Sequence, residues 1–269
     1  GRVYFNYDLP TPENRYWRVI VFEEFENNKW IRSKHNFYED FHKEKDFAIT
    51  SKNLNTLNNE KWILEPSNIR ERPWSGKGNS FNNNLIITNR GILLGNQELK
   101  KREHYAISYT GNKWREKPPE KINLNFGEIK NKSLYKLSRK WLEESSNPEE
   151  IIKKSKEWFL KEEISYTINP GLMNKNYPYD DFLFQKKKGF CEHFAGSFAL
   201  LMKYAEIPVR EVIGYQGGEV IEDSKNNKYI LIDNSYAHAW NEVWIKEKGW
   251  VRIDPTAWVS PERIQESST

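Results

Sequence analysis

The chain holds one thiol, Cys191, in the run Gly189-Phe190-Cys191-Glu192-His193-Phe194-Ala195-Gly196. The apolar positions Phe194, Ala195, Phe198, Ala199, Met202 and Ala205 recur at helical spacing, so this run opens a helix with Cys191 in its first turn. Unpaired N–H groups and the positive end of the dipole favour a thiolate there. The same N–H groups can form part of an oxyanion hole. A lone cysteine can equally be a small buried hydrophobe, and spacing alone leaves both readings open. His238 lies 47 positions on, near the start of an apolar-rich strand, and Asp254 ends the next strand, 16 positions further. A thiol at a helix start, an imidazole on one strand and a carboxylate on the next supply what acyl transfer needs. The thiolate attacks a carbonyl, the imidazole moves the proton, and the carboxylate fixes the imidazole tautomer. A hairpin centred between Glu247 and Lys248 sets Asp254 opposite Asn241, about 10 Å along the strand from His238. Contact then requires a bulge or shear. Asp233 is the reserve candidate for the orienting acid, and Asp254-Pro255 can also be read as a plain strand terminator.

The other residues around the thiol read more blandly. Glu192 and His193 flank Cys191 as packing or substrate-edge residues, because a backbone neighbour is badly placed to act in line as a base. Trp240, Trp244, Trp250 and Trp258 suit a core or a cleft wall. An oxyanion hole needs a second donor, for which Tyr166, Trp158 and Gln185 are the candidates. Lys186-Lys187-Lys188 is a solvated loop or an attractor of acidic substrate. No phosphate loop or EF-hand pattern is present; no cofactor or metal site is expected, and calcium dependence has no support in the sequence.

These residues need elements to hold them. The 269 residues suit one large or two ordinary domains, and 14% aromatic content argues for a packed core rather than disorder. A net charge of +4 without a basic stripe gives no reason to expect a nucleic-acid partner. One cysteine excludes an intrachain disulfide and a Cys-rich zinc site. No apolar stretch approaches the ~18 residues of a membrane span.

The first part reads as short strands: 16–22, 61–64, a hairpin of 85–88 with 92–94 around Asn89-Arg90-Gly91, and 104–109 with Tyr105, Ile107 and Tyr109 on one face. Gly111, Asn112, Pro118 and Pro119 mark a boundary, giving a β-rich N-terminal domain 1–121 and a catalytic domain 122–269 that holds Cys191, His238 and Asp254. Beyond it, Ser133 can cap a helix carrying Leu134, Leu137 and Trp141. Asn147-Pro148-Glu149-Glu150 starts another, and 174–188 reads as a loop. Strands at 207–215, 229–232, 237–245 and 250–254 follow the cysteine helix. The expected class is α+β, with an antiparallel sandwich-like first part and a cysteine helix packed on an antiparallel sheet.

The run around Cys191, Ile207-Pro208-Val209-Arg210 with Gly214-Tyr215, His238-Ala239-Trp240 with Glu242-Val243, and Gly249-Trp250-Val251 with Asp254-Pro255-Thr256 resemble the transglutaminase-like superfamily. Asp181-Phe182-Leu183-Phe184, Gly214-Tyr215-Gln216-Gly217-Gly218-Glu219 and Pro261-Glu262-Arg263-Ile264 are similar to the bacterial membrane-anchored proteins of the TgpA type. This match covers about 160–264, with a weaker one at Tyr16-Trp17-Arg18 and 22–30. The resemblance implies a papain-like core with Cys191, His238 and Asp254 as its triad. It also implies a soluble domain on the external, periplasmic or extracellular, face of a bacterial cytoplasmic membrane, between transmembrane segments. Two positions depart from the family. Glu206 stands where a glycine usually precedes Ile-Pro, and Tyr236 stands where an acid often precedes the histidine. A left-handed backbone at Glu206 would cost about 1 kcal/mol.

Three functions compete. One is transfer of a glutamine side-chain acyl group through a Cys191 thioester to an amine, or to water. A second is a cysteine peptidase or amidase on the same fold, cutting peptide or cell-wall amides; the same three residues serve both, so the cleft's handling of water separates them. A third is a non-catalytic binding module built on the N-terminal strands, against which the intact Cys, His and Asp argue.

Overall fold

The computed structural model describes residues 1–32, 58–80, 84–109 and 117–265. Its first part is strands: β1 (Arg2–Phe5), β2 (Tyr16–Phe22), β3 (Glu24–Glu26), β4 (Lys29–Ile31), β5 (Asn59–Leu64), β6 (Glu71–Arg72), β7 (Asn79–Ser80), β8 (Leu85–Ile87), β9 (Leu93–Gly95) and β10 (Glu103–Ser108). Then come α1 (Lys132–Glu144), α2 (Pro148–Lys161), β11 (Ser165–Tyr166), β12 (Lys188–Gly189) and α3 (Cys191–Tyr204). The chain continues through β13 (Val209–Gln216), β14 (Glu219–Glu222), β15 (Lys228–Leu231), β16 (Ala237–Ile245) and β17 (Gly249–Ile253) to short helical turns. The class is mixed α and β with antiparallel sheets, as expected; the short β11–β12 pair is parallel.

The expected hairpin around Gly91 forms, with Gly91 at φ +72° and Ile87 opposite Leu93. Tyr105 and Ile107 are buried on one face of β10, while Gly111 and Asn112 lie outside the described residues. Asn147 caps α2 as expected, its Oδ1 accepting the Glu149 N–H at 3.0 Å. The α1 cap differs from expectation. Helix α1 begins at Lys132, and the N–H groups of Ser133 and Leu134 donate to the Asp180 carboxylate at 2.9 and 2.8 Å. Asn131 Oδ1 reciprocates by accepting from Tyr179 and Asp180. A cap supplied from 46 residues away leaves no local signal, because the usual cap is the residue before the helix. Part of the expected 174–188 loop is also helical: a turn Pro178–Asp180 runs into the π-helix Asp181–Lys186, burying Phe182 and Leu183.

Two sheets are built from both parts of the sequence. One has the order β14-β15-β1-β5-β10-β7, so β15 pairs with β1. The other has the order β17-β16-β13-β2, so β2 forms its edge. The 121/122 boundary therefore does not divide the strands into two sets. The core of the first sheet holds Val3, Trp17, Trp62, Trp74, Tyr105 and Ile230, with residues from both sides of that boundary. Helix α3 is buried along most of its length, against α1, α2 and the second sheet. Each fully buried large apolar side chain contributes roughly 1.5–3 kcal/mol, so α3 is held firmly by its packing. Lys203, also on α3 and fully buried, donates to the carbonyls of Glu23, Ile122 and Asn125 at 2.9, 2.6 and 2.8 Å. These acceptors use all three N–H bonds of an ammonium, although burial pulls the Lys203 pKa down to about 7.

Candidate active site

Cys191 is the first residue of α3 and is buried. Its position depends on Gly189, where an added Cβ would lie 2.7 Å from the Phe182 ring and 2.9 Å from His193. Phe190 then turns into the helix in an extended conformation, and its carbonyl accepts the N–H groups of His193 and Phe194. The N–H groups of Cys191 and Glu192 belong to the first turn, which has no earlier carbonyls to pair with inside the helix. His193 Nδ1 accepts the Phe190 N–H at 3.2 Å, so that nitrogen carries no proton. Burial also lowers the His193 pKa. His193 is thus a helix-capping residue.

Strand β16 brings His238 to the end of the second sheet. Alternate residues face opposite ways along a strand. Ala239 packs with Cys191 and Ala195, and Asn241 Nδ2 donates to the Ala195 carbonyl at 3.1 Å, locking strand to helix. The other face carries His238, Trp240 and Glu242. Gly214 lies opposite His238 on β13 at a bulge, where an added Cβ would sit 2.0 Å from the Trp17 carbonyl oxygen. A glycine is the only residue that fits this approach of β2. Below it, Glu242 is clamped between Arg18 of β2 and Arg210 of β13, with Arg210 Nε at 2.7 Å. All three are buried, so this network ties β2, β13 and β16 together behind His238.

Asp254 follows β17. The observed register sets Ile245 opposite Gly249 and Asn241 opposite Ile253. The turn therefore holds three residues, with Glu247 at φ +69° and Gly249 at φ +78°. The expected centre between Glu247 and Lys248 was half a residue off, which displaces the pairing by one. That displacement decides the geometry, because a one-residue slip moves a side chain to the other face. Asp254 falls opposite Trp240 instead of Asn241, on the face of His238 and one diagonal step from it. His238 Nε2 and Asp254 Oδ2 are 2.7 Å apart. No bulge in this pair is needed.

Burial pulls the His238 pKa down, but Asp254 and Cys191 outweigh it and raise the value to about 10. With Nε2 on Asp254, Nδ1 is the nitrogen left for the thiol. Burial pushes the Asp254 pKa up, but His238, Tyr16 and the Thr256 N–H bring it below the usual aspartate value. Tyr16, at the start of β2, donates its hydroxyl to the same Oδ2 at 2.7 Å. Sequence reasoning missed Tyr16 as a site residue, since nothing local marks a partner 238 positions away. The reserve acid Asp233 is elsewhere: it is exposed and caps the turn Asn234–Tyr236, accepting the Ser235 N–H at 2.8 Å. Tyr236 ends that turn and packs on the first sheet's core.

The three oxyanion candidates are spread out. Tyr166 pairs with Gly189, two residues before Cys191, and its ring stacks on Phe194 at 6.3 Å. Trp158 packs on Phe184 and Phe159. Gln185 is exposed and lines a depression of about 320 Å³ with Lys130, Lys132 and Ser133. Trp258 packs edge-on to Phe159 and Phe198, and Trp244 edge-on to Trp250, so these act as packing residues. Lys187 pairs with Glu162, and Lys186 Nζ donates to the Leu172 carbonyl. Among the described residues, no three His, Cys, Asp or Glu side chains are grouped to hold a metal ion.

Residues 135–255, which span all three of these site residues, match the Transglutaminase-like superfamily. Over those residues the chain is similar to a transglutaminase-like core. It is 29% identical to a Pseudomonas aeruginosa protein-glutamine gamma-glutamyltransferase over 98% of its own length. It spans only 39% of that relative. An uncharacterized Bacillus subtilis protein, YebA, is 39% identical over 92 residues, covering 34% of this chain and 12% of that protein. The crystal structure of the periplasmic domain of TgpA from P. aeruginosa superposes with a TM-score of 0.84 at 28% identity, covering 99% of this chain and 90% of that one. The same domain bound to ethylmercury gives 0.82, over 98% and 91%. The likeness thus extends from the transglutaminase-like core to the N-terminal strands. No helix among the described residues is long and apolar enough to cross a membrane.

Proposed function

We propose that the chain is the catalytic domain of a transglutaminase-type acyltransferase, with Cys191 as nucleophile, His238 as proton carrier and Asp254 as the group that orients it. The observation that carries this reading is the 2.7 Å contact of His238 Nε2 with Asp254, which leaves the other imidazole nitrogen for a thiol at a helix start. In the proposed reaction the Cys191 thiolate bonds to the carboxamide carbon of a substrate glutamine. The oxyanion is met by the Cys191 N–H and a second donor, taken here as Tyr166, whose strand pairs with Gly189 two residues before Cys191. His238 gives its proton to the leaving nitrogen, ammonia departs and a thioester remains. An incoming amine then bonds to the thioester carbon and loses a proton to His238, and the thiolate leaves. Water in place of the amine yields glutamate. The substrates are a glutamine-bearing protein or peptide and an amine. The domain's place is the external face of a bacterial cytoplasmic membrane, in a longer protein, a reading supported by its likeness to a periplasmic domain.

The test is incubation with a glutamine peptide and a labelled primary amine, followed by mass measurement of peptide and enzyme. The expected products are a peptide carrying the amine with loss of ammonia, and a Cys191 acyl adduct. Cys191→Ala is expected to abolish both, His238→Ala to cost nearly as much, and Asp254→Asn to cost roughly 10²–10⁴ in rate. Cleavage of the peptide backbone without glutamine modification would favour the peptidase reading instead. Undiminished turnover in Cys191→Ala would overturn both.

A further inference from the structure

The Asp254 carboxylate has three donors. Oδ2 receives both His238 Nε2 and the Tyr16 hydroxyl at 2.7 Å, and Oδ1 receives the Thr256 N–H at 3.1 Å. Tyr16 enters from β2, outside the segment that carries Cys191, His238 and Asp254. Its ring is fixed on several sides. Trp240 meets it edge-on at 5.1 Å, the His238 ring lies at 6.3 Å, and the Arg252 guanidinium sits 4.0 Å from its centroid. Tyr16 is 5% exposed. The titratable and charged groups facing this cluster are Cys191 from α3, Arg252 from β17 and Asp254 itself. Burial first, and then Asp254, hold the Tyr16 pKa far above that of free tyrosine. The hydroxyl therefore stays protonated and can only donate. Two donors on one carboxylate oxygen share its charge, so the stronger the tyrosine bond, the weaker the pull on the imidazole.

We infer that Tyr16 is a positioning residue of the active site, whose hydroxyl fixes the Asp254 carboxylate and takes up part of its charge, so that the N-terminal part of the chain sets how strongly His238 holds its proton. The inference rests on the proposed Cys191–His238–Asp254 reading. It gives β2 a chemical role as well as a structural one. Without the hydroxyl, Oδ2 keeps its full charge for His238, which becomes a more reluctant acid toward the leaving nitrogen.

The test is NMR titration of the histidine side chains in the whole chain, with Tyr16→Phe beside the wild type. The phenylalanine keeps the ring contacts and removes only the donor. The His238 titration midpoint is expected to rise by about half to one pH unit, the size of one shared hydrogen bond. Installing 3,5-difluorotyrosine at position 16, a stronger donor in the same shape, is expected to lower it. This second variant keeps the test decisive should Tyr16→Phe fold poorly. An unchanged midpoint in either folded variant overturns the inference. Iodoacetamide labelling at pH 7 separates this from failure of the parent reading. A native Cys191 that labels fast, together with an unmoved His238, sinks only the role of Tyr16. A Cys191 that labels solely on unfolding sinks the triad and this inference with it.

Discussion

At the scale of residues, His238 and Asp254 hold opposite charges in a nearly dry setting. Such a pair stabilises the fold only while both are ionised, and the pH window follows from the signs. The folded pKa of His238 is raised to about 10 from the ordinary 6.5. Its contribution is complete below pH 6.5 and is lost as pH rises through about 10. The folded pKa of Asp254 lies below its ordinary 3.8, so its contribution is present above that pH and is lost as pH falls through the folded value. Lys203 works in the opposite direction: its folded pKa of about 7 lies below the ordinary 10.5, so stability gains from it as pH rises between the two. The two effects overlap between pH 7 and 10, and a difference measurement separates them. Subtracting denaturant-derived stabilities of Asp254→Asn from wild type across that range cancels Lys203. The wild-type advantage is expected to shrink steadily with rising pH. A flat difference would show that His238 is not charged by Asp254.

At the scale of elements, the end of α3 records a local conflict. Glu206 adopts φ +59°, the left-handed conformation that glycine takes without strain. The helix closes around it, with the Ile207 N–H reaching the Met202 carbonyl at 2.9 Å, a closure that leaves no other backbone path. Glu206 recovers a little through an ion pair with Arg139, which is exposed and worth little. Glu206→Gly is therefore expected to leave activity unchanged and to raise stability by up to about 1 kcal/mol, offset in part by the greater freedom of the unfolded chain. Thermal melts check it, and a clear loss of stability would mean that the Arg139 pair outweighs the backbone strain. This position was legible in the sequence, as was the start of α3 at Cys191, because glycine, caps and helical periodicity are local signals. The β16–β17 register was not, because it turned on whether the turn takes two or three residues, a choice made by positive φ at Glu247 and Gly249. Tyr16, the Arg18–Glu242–Arg210 network and the Asp180 cap were hidden for a related reason. Each joins residues far apart in the chain, and only the folded sheet brings them together.

At the scale of the molecule, the question is whether residues 122–269 fold alone. Three losses at the site argue against it. Strand β2 pairs with β13 over Glu211–Phe22 to Gln216–Tyr16, so removing it exposes a new sheet edge beside the site. The Glu242 carboxylate would lose Arg18 and remain buried with Arg210 alone, and removing one partner of a buried charge network costs several kcal/mol. Asp254 would lose the Tyr16 hydroxyl. Beyond the site, β15 would lose β1, and Trp17 would no longer cover the Gly217 carbonyl, to which it donates at 2.8 Å. These losses together match or exceed the 5–15 kcal/mol that holds a typical domain folded. The fragment 122–269 is therefore expected to be insoluble or molten, with Cys191 labelling no faster than in denaturant. Adding residues 1–121 in trans, or restoring the whole chain, is expected to recover fast labelling. A soluble fragment with a cooperative melt and native Cys191 reactivity would show instead that β2 is dispensable. The N-terminal strands would then serve only to shield the catalytic sheet rather than complete it.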